Sequence, residues 1–141
     1  MTGENPSPSS NEMLLGHGLF DGVMWTLVLR PEFPHGPAVF LSYGDGGGGS
    51  TFSEQLDEPF GVVCLGEGVS DEEGLYFLHG QIQEGFVNVT ALVQDGPSVE
   101  TTLVDSSSHF GFNWYVAILR SWPVGVMAEG YSGERAFRKW S

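Results

Sequence analysis

The sequence predicts an all-β fold, an antiparallel β-sandwich of about eight or nine short strands. Short apolar runs recur at roughly ten-residue spacing with turn residues between them, the pattern of a sandwich or barrel. The 21 glycines and 8 prolines interrupt the chain too often for long helices. The clearest stretch, Leu75 to Val104, reads as three strands joined by two tight turns, a β-meander.

At 141 residues the chain has the length of one ordinary domain. A globule of that size buries roughly two-thirds of the surface its unfolded chain exposes, so no disulfide or metal staple is required. Residues 1–12, rich in Ser, Pro and Asn, read as a flexible arm because they have too little apolar surface to offset the entropy of ordering. Residues 13–141 read as a single β-sandwich domain.

Taken in order, Met13-Leu14-Leu15 before Gly16 is either a short edge strand or a tether. Asp21-Gly22 is a turn, and Met24 to Leu29 follows as a strand with Trp25, Leu27 and Leu29 on one face. Three prolines in Arg30 to Pro37 make an extended loop. Ala38 to Tyr43 is the next strand. Gly44 to Ser50, GDGGGGS, reads as a hinge or loose hairpin end. The glycine run lacks the lysine and the strand-to-helix context that give a phosphate-binding loop its mechanism.

Phe60 to Leu65 is a further strand, and the acidic loop Gly66 to Gly74 leads into the meander. Within it, Val87, Val89, Ala91 and Val93 face one way and Asn88, Thr90 and Leu92 the other. Asp95-Gly96 turns the chain into Val99 to Val104. Phe112 to Leu119 is an aromatic strand. Pro123 breaks the chain before Val124 to Tyr131, and Ser132-Gly133 closes a last hairpin onto Ala136 to Trp140.

The second half, HGQIQEGFVNVTALVQDGPSVETTLVD with NWYVAIL and VGVMAEGYSGERAF, resembles an immunoglobulin-like β-sandwich module of uncharacterised actinobacterial proteins. The resemblance rests on Gly80, the alternation from Val87 to Val93, the Asp95-Gly96 turn and the Ser132-Gly133 turn. Gly22 to Leu27 is similar to the Trp-bearing first strand of those proteins. Such modules often hold a cysteine pair, whereas this chain has only Cys64. The resemblance implies a fold and no reaction.

Charge narrows the partners. Eighteen acidic residues against five basic ones give a formal charge of −13, which repels nucleic acid and anionic bilayers. Arg135, Arg138 and Lys139 place three of the five cations near the C-terminus, a cluster suited to an acidic neighbour or simply a solvated end. Cys64 sits in an apolar run and reads as an inert core thiol. The N-terminus shows no signal-peptide pattern and no run suits a membrane-spanning helix, so the expected location is the cytoplasm or a virion.

Chemistry-bearing residues are sparse. His17, His35, His79 and His109 have no ligand spacing for zinc. The acidic loops, with Asp45, Asp57 and Glu58, or Glu67, Asp71, Glu72 and Glu73, offer the oxygen ligands that calcium prefers but not its loop pattern. Asp71, Glu72 and Glu73 are the candidate metal ligands, against a solvated anionic loop. Asp105 with Ser107-Ser108-His109 has the residue types of a catalytic triad, but adjacency in sequence is not triad geometry. No catalytic residues and no cofactor are therefore assigned.

Trp122, beside Pro123, and Trp140, next to the C-terminus, occupy positions that are hard to bury inside one sandwich. Together with Arg135, Arg138 and Lys139 they form the candidate partner-binding set. The function expected from these features is a non-catalytic protein-binding or structural module, including a multi-copy component of an assembly such as a virion, with a protein partner or homo-oligomer. The alternative is a small-ligand or carbohydrate binder that stacks sugars on exposed aromatics. A calcium-stabilised domain comes third.

Overall fold

The computed structural model describes residues 12–31, 36–44, 46–53, 55–67, 74–106 and 110–140. Among them the protein is all-β and antiparallel, with twelve strands in three four-stranded sheets. The first sheet is a meander of β1 (Met13–Phe20), β2 (Val23–Arg30), β3 (Ala38–Tyr43) and β4 (Gly46–Thr51), paired in that order. The second contains β5 (Phe60–Glu67), β6 (Tyr76–Gln83), β9 (Thr102–Val104) and β10 (Phe112–Leu119), in the order β5-β6-β10-β9. The third contains β7 (Phe86–Val93), β8 (Val99–Glu100), β11 (Pro123–Gly130) and β12 (Arg135–Lys139), in the order β12-β11-β7-β8.

The second sheet is the middle layer. On β10, Phe112, Trp114, Val116 and Ile118 face one core, shared with Trp25, Leu27, Leu29, Val39 and Leu41 of the first sheet. Tyr115, Ala117 and Leu119 face a second core, shared with Val89, Ala91, Val126 and Ala128 of the third sheet. A strand buried on both faces carries apolar residues at nearly every position, which is why FNWYVAIL lacks alternation. Strands β2 and β7, covered on one face, alternate as the sequence predicts.

Two expectations are corrected. The eight or nine strands become twelve, because Met13–Phe20 and the glycine run are strands and Val99 to Val104 is divided. The meander of three successive strands is not formed: β6 lies in the second sheet and β7 in the third, so the chain changes layer at Glu84-Gly85. Thr101 marks a second change. Its backbone N–H and its hydroxyl both donate to the carbonyl of Val89, at 2.9 and 2.8 Å, where the chain leaves β8 in the third sheet for β9 in the second.

The glycine strand has a packing cause. A Cβ on Gly49 would overlap the ring of Phe40, and one on Gly47 would overlap the carbonyl oxygen of Leu41. A Cβ on Gly66 of β5 would lie 3.0 Å from the Gly47 carbonyl oxygen, so β4 and β5 approach at backbone distance. In the β1–β2 hairpin the predicted turn forms, with both Asp21 and Gly22 at positive φ, 51° and 78°. Of the expected arm, residues 1–11 lie outside the described residues; Glu12 pairs with Arg30 at 2.6 Å.

Candidate functional site

The cationic strand β12 is positioned by the Ser132-Gly133 turn, where Gly133 has φ 87° and donates its N–H to the Gly130 carbonyl. Strand alternation then divides its cations. Arg135 and Lys139 share a face with Phe137, whose register partner is Met127 on β11. Arg138 points the other way and donates from Nη1 to the Gly61 carbonyl on β5 at 2.5 Å, tying the third sheet to the second. Arg135 lies 4.0 Å from Glu129, an exposed pair of little energetic consequence.

Both candidate tryptophans sit at one end of β11, each half-buried. Trp140 donates from Nε1 to the Pro123 carbonyl at 2.9 Å and packs against the second core. Trp122 meets Tyr76 edge to face, with ring centroids 5.3 Å apart. The structure thus brings Trp122 and Trp140 together and sets them apart from the face that holds Arg135 and Lys139.

The candidate ligands Asp71, Glu72 and Glu73, with Asp45, His35, Ser107, Ser108 and His109, lie outside the described residues. Among the described residues no group of three or more His, Cys, Asp or Glu could hold a metal ion, and no helix is long and apolar enough to cross a membrane. His17 is exposed on β1. Cys64 is half-buried opposite His79, and burial pushes its thiol pKa up, away from the reactive thiolate. His79 is buried on the middle sheet, where desolvation lowers its pKa to about 4.

A surface groove of about 480 Å³ opens beside β5, lined by Phe52, Glu58, Phe60, Gln81 and Arg138 among others. Its buried polar residue Gln81 is occupied internally: Oε1 accepts from Val62 N–H at 2.9 Å and Nε2 donates to the Ser53 carbonyl at 2.6 Å.

A further apolar exposure lies on the outer face of the first sheet, which sequence reading did not single out. Leu19 is 73% exposed, Met24 56% and Leu14 55%. Leu19 and Met24 are direct cross-strand partners, and Leu14 continues through Val28 to Phe40 in register. The signal was present only if residues 13–20 are taken as a strand, and a register shift between Leu14 and Gly16 breaks the alternation that would have revealed it.

No family model, curated protein or solved structure matches this chain.

Proposed function

We propose that this chain is a non-catalytic protein-binding or structural module, one component of a larger assembly. The observation that carries the reading is the exposed cross-strand pair Leu19 and Met24, with Leu14 farther along the same outer face of the first sheet, beyond the His17–Thr26 pair. Paired apolar side chains left exposed on a sheet face favour a contact surface, because leaving them in water forfeits the hydrophobic contribution their burial would make. Cross-linking of wild-type protein and of a Leu19→Asp/Met24→Asp variant, with light scattering on both, tests it. Assembly or partner capture that the variant loses supports the reading. A monomer that captures nothing overturns it.

The immunoglobulin-like reading applies to residues 60–139. Lettering β5 to β12 as A, B, C, C′, D, E, F and G turns the two sheet orders into A-B-E-D and G-F-C-C′, the orders of that sandwich. The chain departs from the family pattern in having no cysteine on β6 or β11 and no tryptophan on β7. On this reading β1–β4 is an added layer that covers one outer face of the sandwich.

A further inference from the structure

The backbone of β12 has a determinable direction of hydrogen bonding. Gly130 N–H donates to the Glu134 carbonyl at 2.8 Å, and Trp140 N–H donates to the Val124 carbonyl at 3.0 Å. Both lie in the register that pairs Val126 with Arg138 and Ala128 with Ala136. In an antiparallel ladder the bonded residues alternate. The even-numbered residues of β12 therefore bond to β11, and Arg135, Phe137 and Lys139 turn their N–H and C=O groups toward the opposite edge. Among the described residues β12 pairs with β11 alone.

The same three residues place their side chains together on the outer face, and all three are exposed, Phe137 by 59%. The edge therefore offers three N–H and C=O sets beside a cation, an aromatic ring and a second cation. Arg135, Arg138 and Lys139 contribute +3 here, so the rest of the chain carries −13 less +3, or −16. Glu129 on β11 and Glu134 in the turn are the acidic groups nearest Arg135 along the hairpin, and nothing comparable precedes Lys139.

We propose that the free edge of β12 accepts an extended acidic segment of a partner protein as an added antiparallel strand. Main-chain bonds to residues 135, 137 and 139 would hold it, carboxylates would stand opposite Arg135 and Lys139, and an apolar side chain would lie against Phe137. Strand addition uses the unpaired ladder for affinity and alternate side chains for selection. The charge pattern argues against a second copy of this chain on the same edge. Antiparallel pairing about Phe137 would set Arg135 of one copy opposite Lys139 of the other, and like charges directly opposite are destabilising. The cations that reject self-pairing select an acidic strand.

This inference rests on the protein-binding reading but uses a different surface, so the two fail separately. The probe is a synthetic peptide with the repeat Glu-Thr-Val-Thr-Glu, compared with its Lys-Thr-Val-Thr-Lys counterpart, using full-length protein. The Glu peptide is expected to bind, to slow amide exchange at residues 135, 137 and 139, and to weaken with salt. An Arg135→Glu/Lys139→Glu variant should bind it at least about tenfold more weakly, with its far-UV spectrum unchanged. Phe137→Pro, which removes an outward-facing N–H and the ring, should also abolish binding. Equal binding of the two peptides would overturn the proposal, as would no protection at the three amides. Concentration-dependent protection of those amides in the protein alone would overturn it too, in favour of a second copy. Loss of partner capture in the Leu19→Asp/Met24→Asp variant while β12 fails these tests would leave the protein-binding reading intact.

Discussion

Gly80 on β6 lies directly opposite Tyr115 on β10, and a Cβ at Gly80 would overlap the Tyr115 hydroxyl oxygen. The same atom would lie 2.7 Å from the Tyr115 Cζ and from the Val62 carbonyl oxygen, so the tyrosine ring occupies the space that the glycine leaves. Gly80→Ala must displace either the ring or the β5 backbone. A loss of about 2 kcal/mol is expected, the scale of overpacking in a closed core. Denaturant unfolding checks it, and an unchanged midpoint would mean that the two strands are not this close.

Tyr115 itself gives the opposite expectation. Its hydroxyl is buried without a hydrogen-bond partner, and burial pushes its pKa up, opposed in part by the charge of Arg138. Tyr115→Phe removes an unsatisfied polar group while keeping the ring, so stability should hold or rise by up to about 1 kcal/mol. A clear loss on unfolding would show that the hydroxyl has a partner.

The alternation of Val87 to Val93, the Asp21-Gly22 and Ser132-Gly133 turns and the all-β class were legible in the sequence because each is a local signal. What was not legible depends on neighbours. β6 and β10 are covered on both sides, so His79 and Gln81 are buried in a strand whose pattern gives no warning of it. The change of sheet at Glu84-Gly85 looks in sequence like an ordinary hairpin turn. On β12 the Arg and Lys residues were visible as a cluster, but only the ladder register separates Arg138, which binds Gly61, from Arg135 and Lys139.

β4 is the clearest case, since four glycines in a row signal flexibility, whereas in the strand Phe40 and the Leu41 carbonyl of β3 occupy the space that side chains at positions 49 and 47 would need. That yields a contrast between adjacent positions. Gly47 has φ 141°, a backbone setting that side chains rarely adopt, and a Cβ there would meet the Leu41 carbonyl. At Gly48 a Cβ would meet only the Cys64 Sγ, at an ordinary 3.7 Å. Gly47→Ala should therefore cost roughly 2 kcal/mol. Gly48→Ala should be neutral or stabilise by about 0.5 kcal/mol, through a less entropic unfolded chain. Melting temperatures of the two variants decide it, and equal shifts would argue against β4 as an ordered strand.

His79 links burial to pH. It lies between Cys64 of β5 and Val116 of β10 in register, with the Trp114 ring centroid 6.1 Å away, and its Nε2 is buried without a hydrogen-bond partner. Desolvation lowers its pKa from 6.5 to about 4, so the folded state holds a neutral imidazole where the unfolded chain would take up a proton. Between those values the unfolded state binds more protons, and stability falls as the pH falls. The neutral form's contribution is complete above about pH 6.5 and is lost progressively toward pH 4, to a total of roughly 3 kcal/mol. A chain of net charge −13 loses self-repulsion as the pH falls, so the wild-type profile alone is a mixture. Subtracting the profile of His79→Gln, which cannot ionise, isolates the histidine. The difference should be flat above pH 7 and grow below pH 6, and a flat difference down to pH 4.5 would show that His79 is not held neutral by burial.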